Sequence, residues 1–430
     1  MTALPTIPAT AIDVAPLRFT DRTLSNGLRA IVIADPRVPS VAINVAYRVG
    51  GKDDPPGRSG FAHLFEHLMF KGTSRTAPET IDRLTEDVGG FNNAFTSEDI
   101  TNYYEVVPSN HLERLLWAEA DRLAALNVNE ENFATERDVV IGEYDQRILA
   151  EPYGMLDELV NREAFVVHPY RRGVIGSPEE LNAASLEDVV AFHATYYRPD
   201  NAVLVVSGDL QPERTLAWIE RYFGRIPTPA QPIPRVTVVE PPQTRERTYV
   251  YRAANVPLAA IEMAYHIPAA AHPDAFALDV LETLLGAGRS SRLYTTLVYE
   301  RQLAASAYAG ADLREQPGLF GVRATCARGV ALADVREALE AQLRRACTEP
   351  PDESELARAR TQIASSLVRS RQTNGGVALT VIRAVTERGD PELVNGDLAR
   401  YLAVSGEDVL RVAQTYLRDQ NRTVVEYVPA

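Results

Sequence analysis

Apolar side chains recur every three or four residues along several stretches, the pattern of helices that bury one face. The first clear stretch aligns five apolar residues: Phe61, Leu64, Phe65, Leu68 and Met69. Gly72 offers a stop shortly after them. A second stretch, from Glu130 to Leu149, has apolar side chains at the same spacing: Phe133, Val140, Tyr144 and Ile148. The pattern therefore predicts two amphipathic helices in the first third of the chain.

Part of the sequence occurs twice, at a constant offset of 220 residues. The segment from Ser185 to Val189 (SLEDV) recurs at 405–409 (SGEDV), and Thr195-Tyr196 recurs as Thr415-Tyr416. In both copies a helix leads through a polar turn into a β-branched strand, which indicates a duplication. The proline-rich stretch 224–234 between the copies is predicted to be an extended linker. We therefore predict an N-terminal domain over 14–223, a linker over 224–242 and a homologous C-terminal domain over 243–430.

The chemistry of the first predicted helix lies on the face that the apolar stripe leaves free. His63, Glu66 and His67 follow the helical period there and form the motif H-x-x-E-H. Two imidazoles at i and i+4 share one face and can bind one ion, while the glutamate beside them can handle a proton. The segment therefore predicts a zinc hydrolase site, of the kind found in peptidases.

A catalytic zinc usually takes three protein ligands, so two histidines need a further donor. The second predicted helix carries Glu136 and Glu143, nearly two full turns apart, and their carboxylates should point the same way. One of them could bind the metal while the other orients a ligand. This spacing does not decide between the two.

At this point the chain resembles the inverzincin peptidases, the family of pitrilysin, insulin-degrading enzyme and the mitochondrial processing peptidase. The short processing-peptidase-like branch is the most similar. Five segments carry the resemblance: 24–28 (LSNGL), 63–73 (HLFEHLMFKGT), 89–96 (GGFNNAFT), 168–170 (HPY) and 196–201 (YYRPDN). The second half has no H-x-x-E-H motif, so only the first half is expected to bind metal.

The resemblance implies roles for individual residues. It implies Zn²⁺ on His63, His67 and Glu143, with Glu66 as general base and Glu136 as a supporting acid. The residues Asn93, Ala94 and Phe95 resemble the family's edge strand, which binds an extended peptide substrate by strand addition. The implied fold class is α+β: two homologous α/β domains, each a mostly antiparallel sheet covered by helices, which together form half of a clam-like chamber.

One departure from the family pattern concerns the second half. Active single-chain relatives usually have an Arg and a Tyr seven residues apart, which bind substrate and stabilise the oxyanion. Alignment from the segment 290–293 (SSRL) without gaps places Val298 and Ala305 at these positions, and neither side chain can donate a hydrogen bond. Arg301 and Tyr308 have the right separation but are displaced by three residues. On a strand, this odd shift would turn Tyr308 to the opposite face.

Three functions follow from this departure. The favoured one is the zinc-bearing subunit of a heterodimeric metalloendopeptidase whose homologous partner supplies the Arg and Tyr. The second is a self-sufficient homodimeric peptidase that uses Arg301 and Tyr308. The third is a non-catalytic assembly subunit, like the core proteins of respiratory complexes. The intact metal motif argues against the third.

Composition excludes several other classes. The formal net charge of −14 argues against a nucleic-acid or anionic-membrane partner. No run of eighteen apolar residues predicts a transmembrane helix, and the first seventeen residues show no secretory signal. We therefore expect a soluble protein of the cytoplasm or periplasm. Cys326 and Cys347 spell no metal motif and are expected to be structural thiols.

Overall fold

Two β-sheets organise the chain in the computed structural model, which describes residues 14–430. Residues 1–13 lie outside this part, and they make up most of the segment in which we expect no secretory signal. The strands of the first sheet are β1 (Thr20–Thr23), β2 (Arg29–Ala34), β3 (Ser40–Tyr47), β4 (Phe91–Thr96), β5 (Thr101–Pro108) and β6 (Ala202–Gly208). The strands of the second are β7 (Arg247–Ala253), β8 (Ala260–Ile267), β9 (Ala304–Asp312), β10 (Gly318–Cys326) and β11 (Arg422–Pro429).

The two sheets repeat one topology. Their strand orders are β1-β2-β6-β3-β5-β4 and β7-β11-β8-β10-β9. In each sheet the last strand of the half pairs in parallel with the first strand of the repeat: β6 with β2, and β11 with β7. The other pairings are antiparallel. This confirms the predicted duplication and the mostly antiparallel sheets, and β1 is an addition to the first sheet.

Fourteen α-helices in the described residues cover the sheets. Those of the first half are α1 (Phe61–Leu68), α2 (Thr80–Glu86), α3 (Leu112–Ala125), α4 (Glu130–Tyr144), α5 (Gly154–Ala164), α6 (Pro178–Asn182), α7 (Leu186–Tyr196) and α8 (Pro212–Phe223). Those of the second half are α9 (Ala275–Gly286), α10 (Leu332–Thr348), α11 (Glu353–Ser370), α12 (Asn374–Arg388), α13 (Asp397–Ala403) and α14 (Gly406–Tyr416).

Both helices predicted from the apolar period are present, with small differences at their ends. The stripe from Phe61 to Met69 is fully buried, as predicted. α1 ends at Leu68, before the predicted stop at Gly72. Gly72 instead makes a turn with a φ of 79°, where a Cβ atom would lie 2.6 Å from the Thr76 carbonyl oxygen. The second helix continues beyond Tyr144 as a π-helical turn to Ala150.

The two halves exchange one helix each. One face of the first sheet packs against helices of its own half, whereas α12 of the second half covers the other face with Val377, Val381 and Ile382. Correspondingly, α5 of the first half packs with Leu156, Val160 and Ala164 against the second sheet. The extended residues 227–245 contain no helix or strand. The limits 14–223 and 243–430 stay a proposal. A cut there would separate α5 and α12 from the sheets they cover, so we do not expect either part to be stable alone.

Candidate metal centre

The H-x-x-E-H helix is fixed at both ends by buried polar groups. Asp54 accepts hydrogen bonds from the backbone N–H groups of Gly60 (2.7 Å) and Ala62 (2.9 Å) at the start of α1. These groups have no partner within the helix, so the carboxylate acts as a cap from outside it. Near the end of α1, the hydroxyl of Tyr103 donates to the carbonyl oxygen of Phe65 at 3.1 Å. The helix therefore has little freedom to rotate about its axis.

α1 and α4 bring three possible metal ligands together. The ligand atoms of His63, His67 and Glu143 all lie within 4.8 Å of one another. The Oε2 atom of Glu143 is 3.7 Å from Nε2 of His63 and 3.3 Å from Nε2 of His67. A tetrahedral zinc with bonds of about 2.0–2.1 Å holds its donors about 3.3–3.4 Å apart. The spacing of these side chains therefore fits a zinc ion.

Glu136 lies on the same face of α4 but contacts the other side of the His67 ring. Its Oε2 atom is 3.3 Å from Nδ1 of His67, and its Oε1 atom is 2.8 Å from Nζ of Lys71. A carboxylate on the far nitrogen of a ligating histidine fixes the ring with Nε2 directed at the metal. The structure thus separates the two glutamates that the spacing left equivalent, with Glu143 beside both Nε2 atoms and Glu136 behind His67.

Glu66 contacts the edge strand of the sheet. The hydroxyl of Thr96 in β4 donates to Oε2 of Glu66 at 2.6 Å. Glu66, the three candidate ligands and residues 93–96 of β4 line one open cavity of about 620 Å³. β4 is the terminal strand of its sheet, so its outer edge pairs with no strand among residues 14–430, and the N–H group of Ala94 is bonded to the Asn93 side chain (2.8 Å). This edge could accept an extended peptide once that side chain moves aside.

Burial and neighbouring charges shift the proton affinities in this cavity. Burial lowers the pKa of His63 to about 3, with a smaller contribution from His67. Burial also acts to lower the pKa of His67, but the hydrogen bond to Glu136 and the charges of Glu143 and Glu66 outweigh it, so that pKa is raised. The pKa of Glu66 is raised by burial against the opposing hydrogen bond from Thr96. A raised carboxyl pKa suits a group that must take up and release a proton.

The residues considered for an oxyanion site lie elsewhere. Every described residue that lines the metal-site cavity belongs to the first half, between His63 and Ile175. Val298 packs against the second core, and Ala305 is exposed on β9. Tyr308 lines a separate cavity of about 440 Å³ together with Arg323, whose guanidinium lies 5.5 Å from the Tyr308 ring centre.

An irregularity in β9 changes the expectation that an odd shift turns Tyr308 to the opposite face. A β-bulge lies opposite the end of β10, where Cys326 pairs with Ala304 and Thr325 pairs with Ser306. Ala305 is the extra residue, and it breaks the alternation of faces on which the argument relied. Both Ala305 and Tyr308 are exposed. Because of the extra residue, the odd shift from Ala305 to Tyr308 does not by itself place the two side chains on opposite faces.

Sequence reasoning assigned no role to three side chains of this site. Thr96 was part of the segment that resembles the edge strand, but its contact with Glu66 joins residues thirty positions apart. Lys71 follows α1 and neutralises Glu136. Arg147 lies one turn after Glu143, 2.8 Å from its Oε1 atom, and is largely exposed in the cavity. Only the i,i+4 spacing of Arg147 and Glu143 could have been found in the sequence.

Comparisons with known proteins agree with the geometry. The family model described as "Insulinase (Peptidase family M16)" matches residues 29–177, and that described as "Peptidase M16 inactive domain" matches residues 183–363. The zinc protease PqqE of Helicobacter pylori is 29% identical over 95% of this chain and 92% of its own. A probable mitochondrial-processing peptidase subunit beta of Arabidopsis thaliana is 26% identical over 93% of this chain and 76% of its own.

A solved structure shows the same architecture. The crystal structure of a protease from Helicobacter pylori superposes with a TM-score of 0.93 at 29% identity, covering 96% of this chain and 100% of that one. The chain belongs to the M16 peptidase family, as its resemblance to the inverzincins predicted. Its relatives include proteins named as zinc proteases. No helix among residues 14–430 is both long and apolar enough to cross a membrane.

Proposed function

We propose that this chain is the zinc-bearing subunit of a metalloendopeptidase that cleaves peptides or unfolded polypeptides. The observation that carries the proposal is the convergence of His63, His67 and Glu143 in the cavity that also holds Glu66 and the free edge of β4. Zinc, when bound by these three side chains, supplies Lewis acidity that activates water and polarises a peptide carbonyl.

The residues of the chain perform the remaining steps. An extended peptide would bind along β4 with backbone hydrogen bonds at Asn93, Ala94 and Phe95. The Glu66 carboxylate, oriented by Thr96, would take the proton of the attacking water and pass it to the leaving amine. Glu136 would keep the His67 ring in place through Nδ1.

We further propose that a homologous partner subunit completes the site. Val298 and Ala305 offer no donor for an oxyanion, and the described cavity wall contains no residue of the second half. The loss of one oxyanion donor typically costs about 10²–10³ in rate, so the isolated chain should have little activity. One relative is by name a subunit of a processing peptidase, which is compatible with a two-subunit enzyme.

The test is a peptide-library assay of the zinc-loaded chain alone and mixed with a homologous subunit that carries an Arg and a Tyr seven residues apart. We expect cleavage only in the mixture. The Glu66→Gln variant in the same mixture should be inactive, which assigns the activity to this chain. Full activity of the chain alone would overturn the partner requirement.

A self-sufficient homodimer is the second candidate, and the exposure of Tyr308 beside Arg323 favours keeping it. In that case the chain alone would cleave peptides and Tyr308→Phe would reduce the rate. If the chain needs a partner that supplies the pair, Tyr308→Phe should have no effect on the mixture. If the purified chain binds no zinc and cleaves no peptide either alone or with the homologous subunit, the assembly role is favoured instead.

A further inference from the structure

The turn between β9 and β10 reaches from the second half into the first. We call residues 313–317 the β9–β10 tip. Its Glu315 backbone N–H donates to Asp99 at 2.8 Å, and the same carboxylate accepts from Lys52 (2.8 Å) and from the hydroxyl of Tyr170 (2.5 Å). The side chain of Glu315 in turn pairs with Lys52 and with Arg48, the latter at 3.0 Å. Only 5% of the Lys52 side chain is exposed.

Gln316 of the tip binds the HPY segment. Its side-chain oxygen lies 2.5 Å from Nε2 of His168, and its backbone N–H donates to the Tyr170 hydroxyl at 3.2 Å. Nδ1 of His168 accepts the backbone N–H of Tyr170, so the proton of the neutral ring resides on Nε2 and is donated to Gln316. The Gln316 amide N–H₂ donates to the carbonyl oxygen of Val236. These hydrogen bonds therefore determine the orientation of the His168 ring and of the Gln316 side-chain amide.

Arg314 provides the third connection. Its Nη2 atom is 3.0 Å from Oε1 of Glu98 and 3.1 Å from Oδ1 of Asn161. Its guanidinium also lies 4.7 Å from the centre of the Tyr170 ring. Only 4% of its side chain is exposed, so these contacts are shielded from water. Three consecutive side chains of the second half thus contact the first half, and Arg314 also donates to Asp312 of its own half at 2.7 Å.

The residues that the tip binds adjoin two walls of the metal-site cavity. Glu98 and Asp99 follow β4 after one intervening residue, and the last residue of β4, Thr96, orients Glu66. Tyr170 lies shortly before Val174 and Ile175, which line the cavity on another side. His63, His67 and Glu143 lie on α1 and α4, which the polar contacts of the tip described above do not involve.

We propose that Arg314, Glu315 and Gln316 are positioning residues, through which the half that lacks metal ligands holds the peptide-binding edge of the other half. The proposal rests on the proposed function, because it takes β4 as the edge that binds substrate. The buried charges of Lys52 and Arg314 suit this role, since a buried charge becomes costly when one of its carboxylate partners is removed. The HPY segment then serves as the acceptor of the tip on the cavity wall.

The test uses the full chain in three variants. Glu315→Ala removes the contacts with Lys52 and Arg48, and Gln316→Ala removes those with His168 and Val236 without leaving a buried charge. Arg328→Ala, which is exposed at the far end of β10, is the control. The readouts are zinc content, hydrogen exchange of the backbone amides of β4, and kcat and KM of the active mixture.

In Glu315→Ala we expect unchanged zinc content and roughly tenfold faster exchange of the β4 amides, confined to β4 and its following loop. The value of kcat/KM should fall about ten- to a hundredfold through misplacement of the edge and of Glu66. Gln316→Ala should give the same pattern with a smaller amplitude and faster exchange at 168–175. A tip that merely joins the halves would lower the melting temperature and leave local exchange and kinetics unchanged, which would overturn the proposal.

Hydrogen exchange needs no catalysis, so the two proposals can fail separately. If no mixture cleaves peptides but the exchange of β4 responds as expected, the function is wrong and the connection between tip and strand stands. If the mixture cleaves peptides and Glu315→Ala and Gln316→Ala both behave as Arg328→Ala, the connection is wrong. Should Glu315→Ala fail to fold, Gln316→Ala alone decides between these outcomes.

Discussion

The candidate metal centre has a counterpart in the second half, and the two differ in how closely a helix approaches the terminal strand of its sheet. In both halves a helix lies between equivalent strands and packs against a later helix: α1 against α4, and α9 against α11. In the first half the helix presents Glu66 to β4, with space beside it. In the second half, Gly286 at the end of α9 lies so close to β9 that a Cβ atom would be 2.0 Å from the Ala309 nitrogen.

The edges of the two terminal strands differ in the same way. The N–H group of Ala94 in β4 is bonded only to the adjacent Asn93 side chain, which a peptide could displace. The N–H group of Ala311 in β9 donates at 3.0 Å to the carboxylate of Glu282, which is held on α9. A covered edge is protected from strand addition. With the same topology, the N–H group is therefore satisfied by an adjacent side chain of the strand in one half and by a carboxylate of the packed helix in the other.

The largest effect is expected at Glu66, the proposed general base of the first half. Glu66→Gln keeps the shape and the hydrogen bond with Thr96 but cannot take up a proton. We expect kcat to fall about 10²–10⁴-fold in the active mixture, with zinc content unchanged. Steady-state kinetics with elemental analysis checks this. Glu187→Gln, on the exposed face of α7, is the control, and equal loss in both variants would contradict the role of Glu66.

Removal of zinc should destabilise the first half and leave the stability of the second half unchanged. At a free zinc concentration a thousand times the Kd, binding contributes about 4 kcal/mol to the free energy of unfolding. Chelation should therefore lower the melting temperature and speed amide exchange in α1 and α4, but not in α9 and α11. Glu143→Ala should abolish this response, while Glu131→Ala, exposed on the same helix, should preserve it. A response spread over both halves would show that zinc binds elsewhere.

Two glycine substitutions test the difference in packing directly. Gly286→Ala forces a methyl group into the β9 backbone and should lower the free energy of unfolding by about 1–3 kcal/mol or more. Gly142→Ala, next to Glu143 in α4, meets no atom within 4 Å and should raise it by about 0.5–1 kcal/mol. Chemical denaturation measures both. Similar changes in the two variants would mean that α9 is not as close to its strand as the structure shows.

The smallest effect concerns the carboxylate that covers β9. Burial raises the pKa of Glu282 despite the opposing hydrogen bond from Ala311. A folded-state pKa above the unfolded value means that the folded chain binds the proton more tightly, so this group costs stability as the pH rises through that range. Glu282→Gln keeps an acceptor without a charge, so its melting temperature relative to the parent should increase from acidic to neutral pH.

The control for this pH dependence is Glu337→Gln, exposed on α10. It should leave the difference from the parent constant over the same range. A pH-independent difference for Glu282→Gln would show that the Glu282 carboxylate is not buried as a charge at neutral pH.

Some features of the fold and site could be predicted because they depend on short sequence spacings. The helical period placed Phe61 and Leu64 inward and His63 and His67 together on another face, and the structure buries the former and joins the latter with Glu143. The repeat at an offset of 220 residues predicted the duplication, since homologous segments fold alike. The family resemblance was recognised from motifs of this kind.

Other features could not be predicted because they join residues far apart or depend on fractions of an ångström. Nothing in the sequence indicated that α5 and α12 cross to the opposite sheets, or that the Thr96 hydroxyl would reach Glu66. The bulge at Ala305 also altered which side chains of β9 are exposed together. Each depends on the packing of complete elements.

The sequence by itself thus determined which residues could bind a metal and that the chain consists of two related halves, because helical spacing and repeated segments depend only on the order of residues along the chain. Only the tertiary structure decided which glutamate lies beside both histidines, which of two equivalent edges is open, and how the β9–β10 tip meets Asp99. Those outcomes depend on the distance between helices and strands, which close packing sets and which no spacing along the chain encodes.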